Sequence, residues 1–106
     1  MISDGDGAGE QIFIDAGDAG LAGEVWRPAG DPQAGVVMIG GSGPTDRSND
    51  GYFVAYRDQF TSHGIAALWY DKRGIGGSSG NWAAGTMDDL ARDAMAAISA
   101  FAACAG

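Results

Sequence analysis

Apolar and polar positions change rhythm along this chain, and each change marks an element. Residues 11–15 and 21–27 read as two strands, with Asp18, Ala19 and Gly20 as turn material between them, a pattern that predicts a hairpin. Pro28, Gly30, Asp31 and Pro32 then break the extended run, because proline has no N–H for a ladder and glycine relaxes the backbone. Val36, Val37, Met38 and Ile39 form a continuous apolar run, the signature of a strand covered on both faces. Phe53, Tyr56 and Phe60 recur at helical spacing and define one face of a helix that Gly64 stops. Residues 65–70 are a second continuous apolar run. The last element is a helix whose start carries a capping pair, Thr86 and Asp89. Its apolar stripe is Met87, Leu90, Ala94, Ile98 and Phe101, and Asp88 and Arg92 are spaced to pair on the opposite side.

Strand, helix, strand, helix in units of this size argue for parallel strands joined by crossover helices after the initial hairpin. The expected fold class is therefore α/β. The length suits a single domain, read over 11–106, preceded by a disordered tail over 1–10 that has no apolar period. A crossover helix must return to another parallel strand, so the sheet that can be read here is incomplete.

Composition narrows the partners. Apolar residues are 45% of the chain and charged ones 19%, which fits a globular protein. Six Lys and Arg against fourteen Asp and Glu give a net charge of −8, a sign that repels phosphate backbones and anionic lipid, so neither nucleic acid nor membrane is an expected partner. No apolar run approaches the roughly 20 residues of a bilayer span. The first ten residues are acidic and glycine-rich, unlike a signal peptide. The single cysteine, Cys104, excludes an internal disulfide and a multi-thiolate metal site, and suits the cytoplasm.

Two glycine-rich segments follow the two continuous apolar runs. Residues 40–44 sit where open α/β sheets bind ligands, at the carboxyl end of a strand, and bare backbone N–H groups there can approach a substrate oxygen. An oxyanion loop is one reading and a plain connecting turn the other. A dinucleotide fingerprint would need a third glycine where Asp46 stands, and a P-loop would need Gly-Lys-Ser or Gly-Lys-Thr. Gly76, Ser78 and Gly80 match the Gly-x-Ser-x-Gly of a nucleophile elbow. An elbow joins strand to helix without a gap, whereas residues 81–85 intervene here, so Ser78 reads as a loop serine. His63, the chain's one histidine, falls at a helix end and reads as structural. Trp26, Trp69 and Trp82 read as packing residues. Cys104 has no histidine after it to activate a thiol.

The order of these motifs carries a resemblance. Gly40, Gly41, Ser42, Gly43, Pro44, Thr45, Asp46 and Arg47, then Asp71, Lys72, Arg73, Gly74, Ile75, Gly76, Gly77 and Ser78, then a helix opening Thr86-Met87-Asp88-Asp89-Leu90, resemble the N-terminal region of the α/β-hydrolase superfamily. The pattern is similar to that of the serine aminopeptidase and acyl-peptidase or esterase-like members, and the resemblance covers residues 23–101. It implies a three-layer α/β sandwich of which the first four strands and two helices are present. It implies hydrolysis of a small-molecule ester, thioester or amide through an acyl-enzyme, with no cofactor. By the same resemblance the backbone N–H of Ser42 is an oxyanion donor and Gly41 shapes its turn, while Gly40-Gly41 replaces the His-Gly of many relatives. Asp71, Arg73, Gly74, Gly76 and Ser78 are implied as structural loop residues. No catalytic residue is assigned within this chain, since the nucleophile, acid and histidine are expected beyond Gly106, and the chain alone is expected to be inactive. The alternative is a non-catalytic fragment that serves as a binding or interaction module. In either case the strand at 36–39 lacks a partner on one side, so self-association through an exposed sheet edge is expected.

Overall fold

Among the described residues, 9–40 and 43–105 of a computed structural model, the elements follow in the order β1 (Glu10–Asp15), β2 (Gly20–Trp26), β3 (Ala34–Met38), α1 (Phe53–Ser62), β4 (Ile65–Tyr70) and α2 (Met87–Ala105). β1 and β2 form the hairpin, in antiparallel register from Glu10 opposite Val25 to Asp15 opposite Gly20. The first strand thus takes in Glu10, one residue before the run read from the sequence. The Ala16 N–H closes the turn on the Ala19 carbonyl at 2.9 Å, and the Gly17 N–H donates to Asp15 Oδ1. β2 pairs antiparallel with β4, β3 pairs parallel with β4, and the sheet order is β1-β2-β4-β3.

Side-chain alternation splits the core into two layers. Ala66, Leu68 and Tyr70 of β4 join Ile14, Leu21 and Val25 on the face that takes Ala97 and Phe101 of α2. Ala67 and Trp69 point the other way, to Met38, Trp26 and to Phe53 and Phe60 of α1. This is a helix-sheet-helix sandwich. A methyl group on Gly35 would lie 2.7 Å from the Phe101 ring, so the bare glycine is what lets α2 close against β3. On the α1 side, Trp26 and Trp69 meet edge to face at 5.9 Å, and the Arg57 guanidinium lies 4.1 Å from the centre of the Trp26 ring.

Three expectations are corrected. The apolar run at 36–39 does not make a strand covered on both faces: Ala34 and Gly35 are exposed, Val36 and Val37 half-buried, and Ile39 is 48% exposed. Among the described residues β3 is an edge strand, with β4 on one side only. The equally apolar β4 has neighbours on both sides, and Ala66 through Tyr70 are all buried. In α1, Tyr56 is 60% exposed, and the helix instead meets the sheet through Phe53, Arg57 and Phe60. In α2 the buried line is Asp93, Ala97 and Phe101, while Met87 and Ile98 are exposed. Alanines bring this helix near the sheet, and an ion pair carries Asp93 inside, so counting only large apolar side chains rotates the stripe.

The capping pair forms as read: the Thr86 N–H donates to Asp89 Oδ2 at 3.0 Å and the Asp89 N–H to Thr86 Oγ1 at 3.1 Å. With Asp89 held at the helix start, Arg92 pairs with it and not with Asp88. This placement of the core yields a contrast. Leu68→Ala, at a fully buried position, should cost about 2–5 kcal/mol, whereas Met87→Ala should stay within about 0.5 kcal/mol, both read from the urea midpoint of unfolding. Equal shifts for the two variants would contradict the assignment of the α2 face.

Candidate functional site

β4 runs straight into three buried charged residues, Asp71, Lys72 and Arg73. Ions out of water must be paired or hydrogen-bonded where they stand, and each of the three reaches a different part of the chain. Asp71 turns to the segment after the glycine loop. Its Oδ1 accepts the Arg47 N–H at 2.7 Å and its Oδ2 accepts Arg47 Nη2 at 2.9 Å and the Gly77 N–H at 3.0 Å. Arg47 is steadied from behind by Gln11 Oε1 at 3.0 Å and by Glu24 at 3.4 Å. Glu24 also accepts Trp69 Nε1 at 2.7 Å. Lys72 Nζ donates to the Gly43 carbonyl at 3.1 Å. Arg73 turns the other way, taking both oxygens of Asp93 in α2 at 2.8 and 2.7 Å and those of Asp18 in the hairpin turn at 3.3 and 3.0 Å.

The loop that follows is sewn to β2. Ser78 Oγ donates to the Asp71 carbonyl at 2.6 Å and accepts the Ala22 N–H at 2.9 Å. The Ser79 N–H donates to the Gly20 carbonyl at 2.8 Å, and the Gly20 N–H to Ser79 Oγ at 2.8 Å. Gly74 and Gly76 have φ of 76° and 54°. A methyl group on Gly76 would stand 2.4 Å from Asp71 Oδ2, so the loop can wrap the carboxylate only with glycine there. The other loop returns on itself: Asp46 Oδ1 accepts Ser48 Oγ and the Asp50 N–H, and Asn49 and Asp50 take the left-handed region at φ of 52° and 57°.

These placements bring Asp71, Arg73, Gly74, Gly76 and Ser78 into one loop at the carboxyl end of β4, facing the segment that leaves the parallel β3. Gly41 and Ser42 lie outside the described residues. His63 caps the far end of α1, exposed, with Nδ1 2.7 Å from the Gln59 carbonyl. Among the described residues no group of three or more His, Cys, Asp or Glu is placed to hold a metal ion, and no helix is long and apolar enough to cross a membrane.

No family model matches the chain, and no curated protein matches it. Solved structures do. A candidate hydrolase from Agrobacterium vitis S4 superposes with a TM-score of 0.72 at 25% identity, over 89% of this chain and 36% of its own. Est1E from Butyrivibrio proteoclasticus, with ferulic acid bound, gives 0.70 at 22%, over 85% of this chain and 36% of its own. An alpha-beta serine hydrolase homologue from Coxiella burnetii gives 0.70 at 17%, over 85% of this chain and 43% of its own.

The fold is that of the α/β hydrolases.

The chain spans 36% to 43% of the length of these structures, so it holds a part of an α/β-hydrolase fold, with the incomplete mixed sheet that the strand pattern predicts.

Several residues that hold this corner of the α/β-hydrolase fold together escaped the sequence reading. Arg47 stands in the motif with no role to read from it, Asp18 reads only as turn material, and Glu24 gives no signal. Asp93 left a faint signal, one acid four residues before Ala97 in an alanine-rich helix. Their electrostatics are mutually consistent. Burial works against the Asp71 carboxylate, yet the Arg47 guanidinium and the Gly77 and Arg47 N–H groups together hold its pKa below the ordinary range. Arg73 does the same for Asp18, chiefly by hydrogen bonding, and the Thr86 N–H does so for Asp89. Tyr70 is pushed up to about 12 by burial and by the nearby Asp93.

Stability should follow from these directions. The three aspartates ionise more readily folded than unfolded, so their contribution is complete above about pH 5 and is lost as pH falls through the depressed values. Tyr70 is kept neutral by the fold, so its contribution is complete below about pH 10 and is lost as pH rises toward 12. The urea midpoint is expected to be level through neutral pH, with an acid limb softened by Asp71→Asn and an alkaline limb softened by Tyr70→Phe. A midpoint that slopes steeply between about pH 6 and 8, where none of these groups titrates, would contradict it.

Proposed function

We propose that the chain is the N-terminal part of a serine hydrolase, which cleaves a small-molecule ester, thioester or amide through an acyl-enzyme, and that the loop leaving β3 supplies its oxyanion hole. One observation carries the reading. Gly43, within this loop, and Arg47, just after it, are both gripped by consecutive residues at the end of the adjacent parallel strand, Lys72 and Asp71. A loop held at and just after Gly43 at the carboxyl edge of an α/β sheet is suited to presenting backbone N–H groups that need little reorganisation as charge develops on a carbonyl oxygen. The Ser42 N–H is the donor in this reading and Gly41 shapes the turn. The ferulic acid on Est1E is in keeping with an acyl substrate. No cofactor enters such chemistry, and the lone cysteine and acidic surface suit the cytoplasm.

The nucleophile is not in this chain. The Ser78 hydroxyl is committed to the Asp71 carbonyl and the Ala22 N–H, and His63 is occupied at the end of α1. Alone, the chain does not hydrolyse. A fluorophosphonate probe should leave the 106-residue chain unlabelled and label a protein extended through a Gly-x-Ser-x-Gly elbow. In that extended protein Ser42→Ala should change turnover little, because the side chain is not the donor. Ser42→Pro removes the N–H and should cost about a hundredfold or more. Stoichiometric labelling of the short chain, abolished by Ser78→Ala, would overturn the reading, as would an undiminished, folded proline variant.

A second reading, that the chain acts as an interaction module, is favoured by β3. Its outer edge has no partner strand among the described residues. Apolar hollows flank it on both sheet faces, one lined by Val37, Ile98 and Phe101, the other by Met38, Tyr52 and Tyr56, with Ile39 shared. An edge of this kind is a template for pairing. Sedimentation should show association that grows with concentration and weakens in Ile39→Lys, whereas a monomer at every concentration would refute it.

A further inference from the structure

Lys72 is the chain's only lysine, and it is 7% exposed. Lysine side chains ordinarily pack their stem and leave the ammonium in water, and this one carries its ammonium inside. Nζ donates to the Gly43 carbonyl at 3.1 Å, and the same oxygen accepts the Thr45 N–H at 3.0 Å across Pro44. The ammonium lies 5.2 Å from the centre of the Trp82 ring, within reach of a cation–π contact. At the other end of the loop, a methyl group on Gly40 would stand 3.6 Å from Lys72 Cε and 2.0 Å from Thr45 Oγ1, so the lysine stem runs beside Gly40 and only glycine fits there. Burial lowers the ammonium's pKa from the ordinary lysine value.

We propose that Lys72 is the positioning residue of the glycine loop, its stem passing Gly40 and its ammonium fixing the Gly43 carbonyl, so that one side chain from the neighbouring strand end ties down the described residues on either side of Gly41 and Ser42. This rests on the oxyanion reading given above. Lys72 touches no substrate and acts through the loop, by orienting it and by placing positive charge beside it, where low local dielectric makes such a charge count. Asp71 secures the later flank through Arg47, and Lys72 secures the loop itself.

The test is amide hydrogen exchange on the 106-residue chain, read by mass spectrometry at a concentration where sedimentation shows the monomer. Lys72→Met keeps the stem and removes the charge. It should quicken exchange in the segment 39–46 by about tenfold or more, the effect of losing a hydrogen bond from a charged donor, while the β4 segment 65–70 stays within about twofold. Lys72→Arg should restore most of the protection. Equal quickening in both segments, or none in 39–46, would overturn the proposal. If the methionine variant does not fold, the parent decides: its single lysine ε-methylene should show nuclear Overhauser contacts to the Gly40 α-protons and should shift in Trp82→Leu, and absence of those contacts overturns the placement. Neither measurement needs turnover, so a failure here is distinct from failure of the oxyanion reading, which would show as undiminished turnover in Ser42→Pro.

Discussion

Everything at the carboxyl edge of this sheet depends on how three adjacent charges at the end of β4 are compensated. Asp71, Lys72 and Arg73 lie under the surface, and breaking a buried pair by removing one partner typically costs about 3–5 kcal/mol. The chain meets that demand by sending the three side chains apart. Asp71 and Lys72 reach the segment that leaves β3, and Arg73 joins the hairpin turn to α2. Because the demand is local and the partners are distant in sequence, neutralising one short stretch positions two loops, a turn and a helix together.

The sheet supplies the geometry for this arrangement. β3 and β4 are parallel and adjacent, so both end at the same edge and their loops must meet there. β2 runs antiparallel on the other side of β4, so its start, at Gly20 and Ala22, is within reach of Ser78 and Ser79. The loop after β4 is fastened to β2 by main-chain and serine hydrogen bonds, and it can then serve as a fixed base for the glycine loop. Rigid anchoring of this kind is what an electrostatic site requires, since donors that must reorganise as charge develops lose much of their benefit.

Much of the fold was legible because its signals are local. The run at 65–70 reads correctly as a fully covered strand, and Thr86 with Asp89 marks the start of α2 within one turn. The same apolar signal misleads at 36–39, since it records what a strand is suited to contact and not what stands beside it. The α2 stripe misleads for another reason: alanine counts weakly in any pattern, yet Ala97 is completely buried. The candidate site was half legible. Its glycine spacings and the Asp71 to Ser78 motif stand out in the sequence, whereas Arg47, Glu24 and Asp93 acquire their roles only when topology brings together residues 20 or more apart.

The Arg73 clamp bears on the order in which the chain can consolidate. Its two partners lie 55 residues before it and 20 after it, so a chain emerging from the ribosome makes its hairpin long before the latch for that hairpin exists. β2 must wait for β4 to cover its second edge, and Asp18 waits for an arginine whose other anchor has still to be synthesised. Non-local closure of this kind is slow, because loop entropy is lost before contacts repay it. A two-stranded ribbon has little stability of its own in water, so the hairpin has its full support only when β4 covers its second edge and Arg73 joins Asp18 to Asp93.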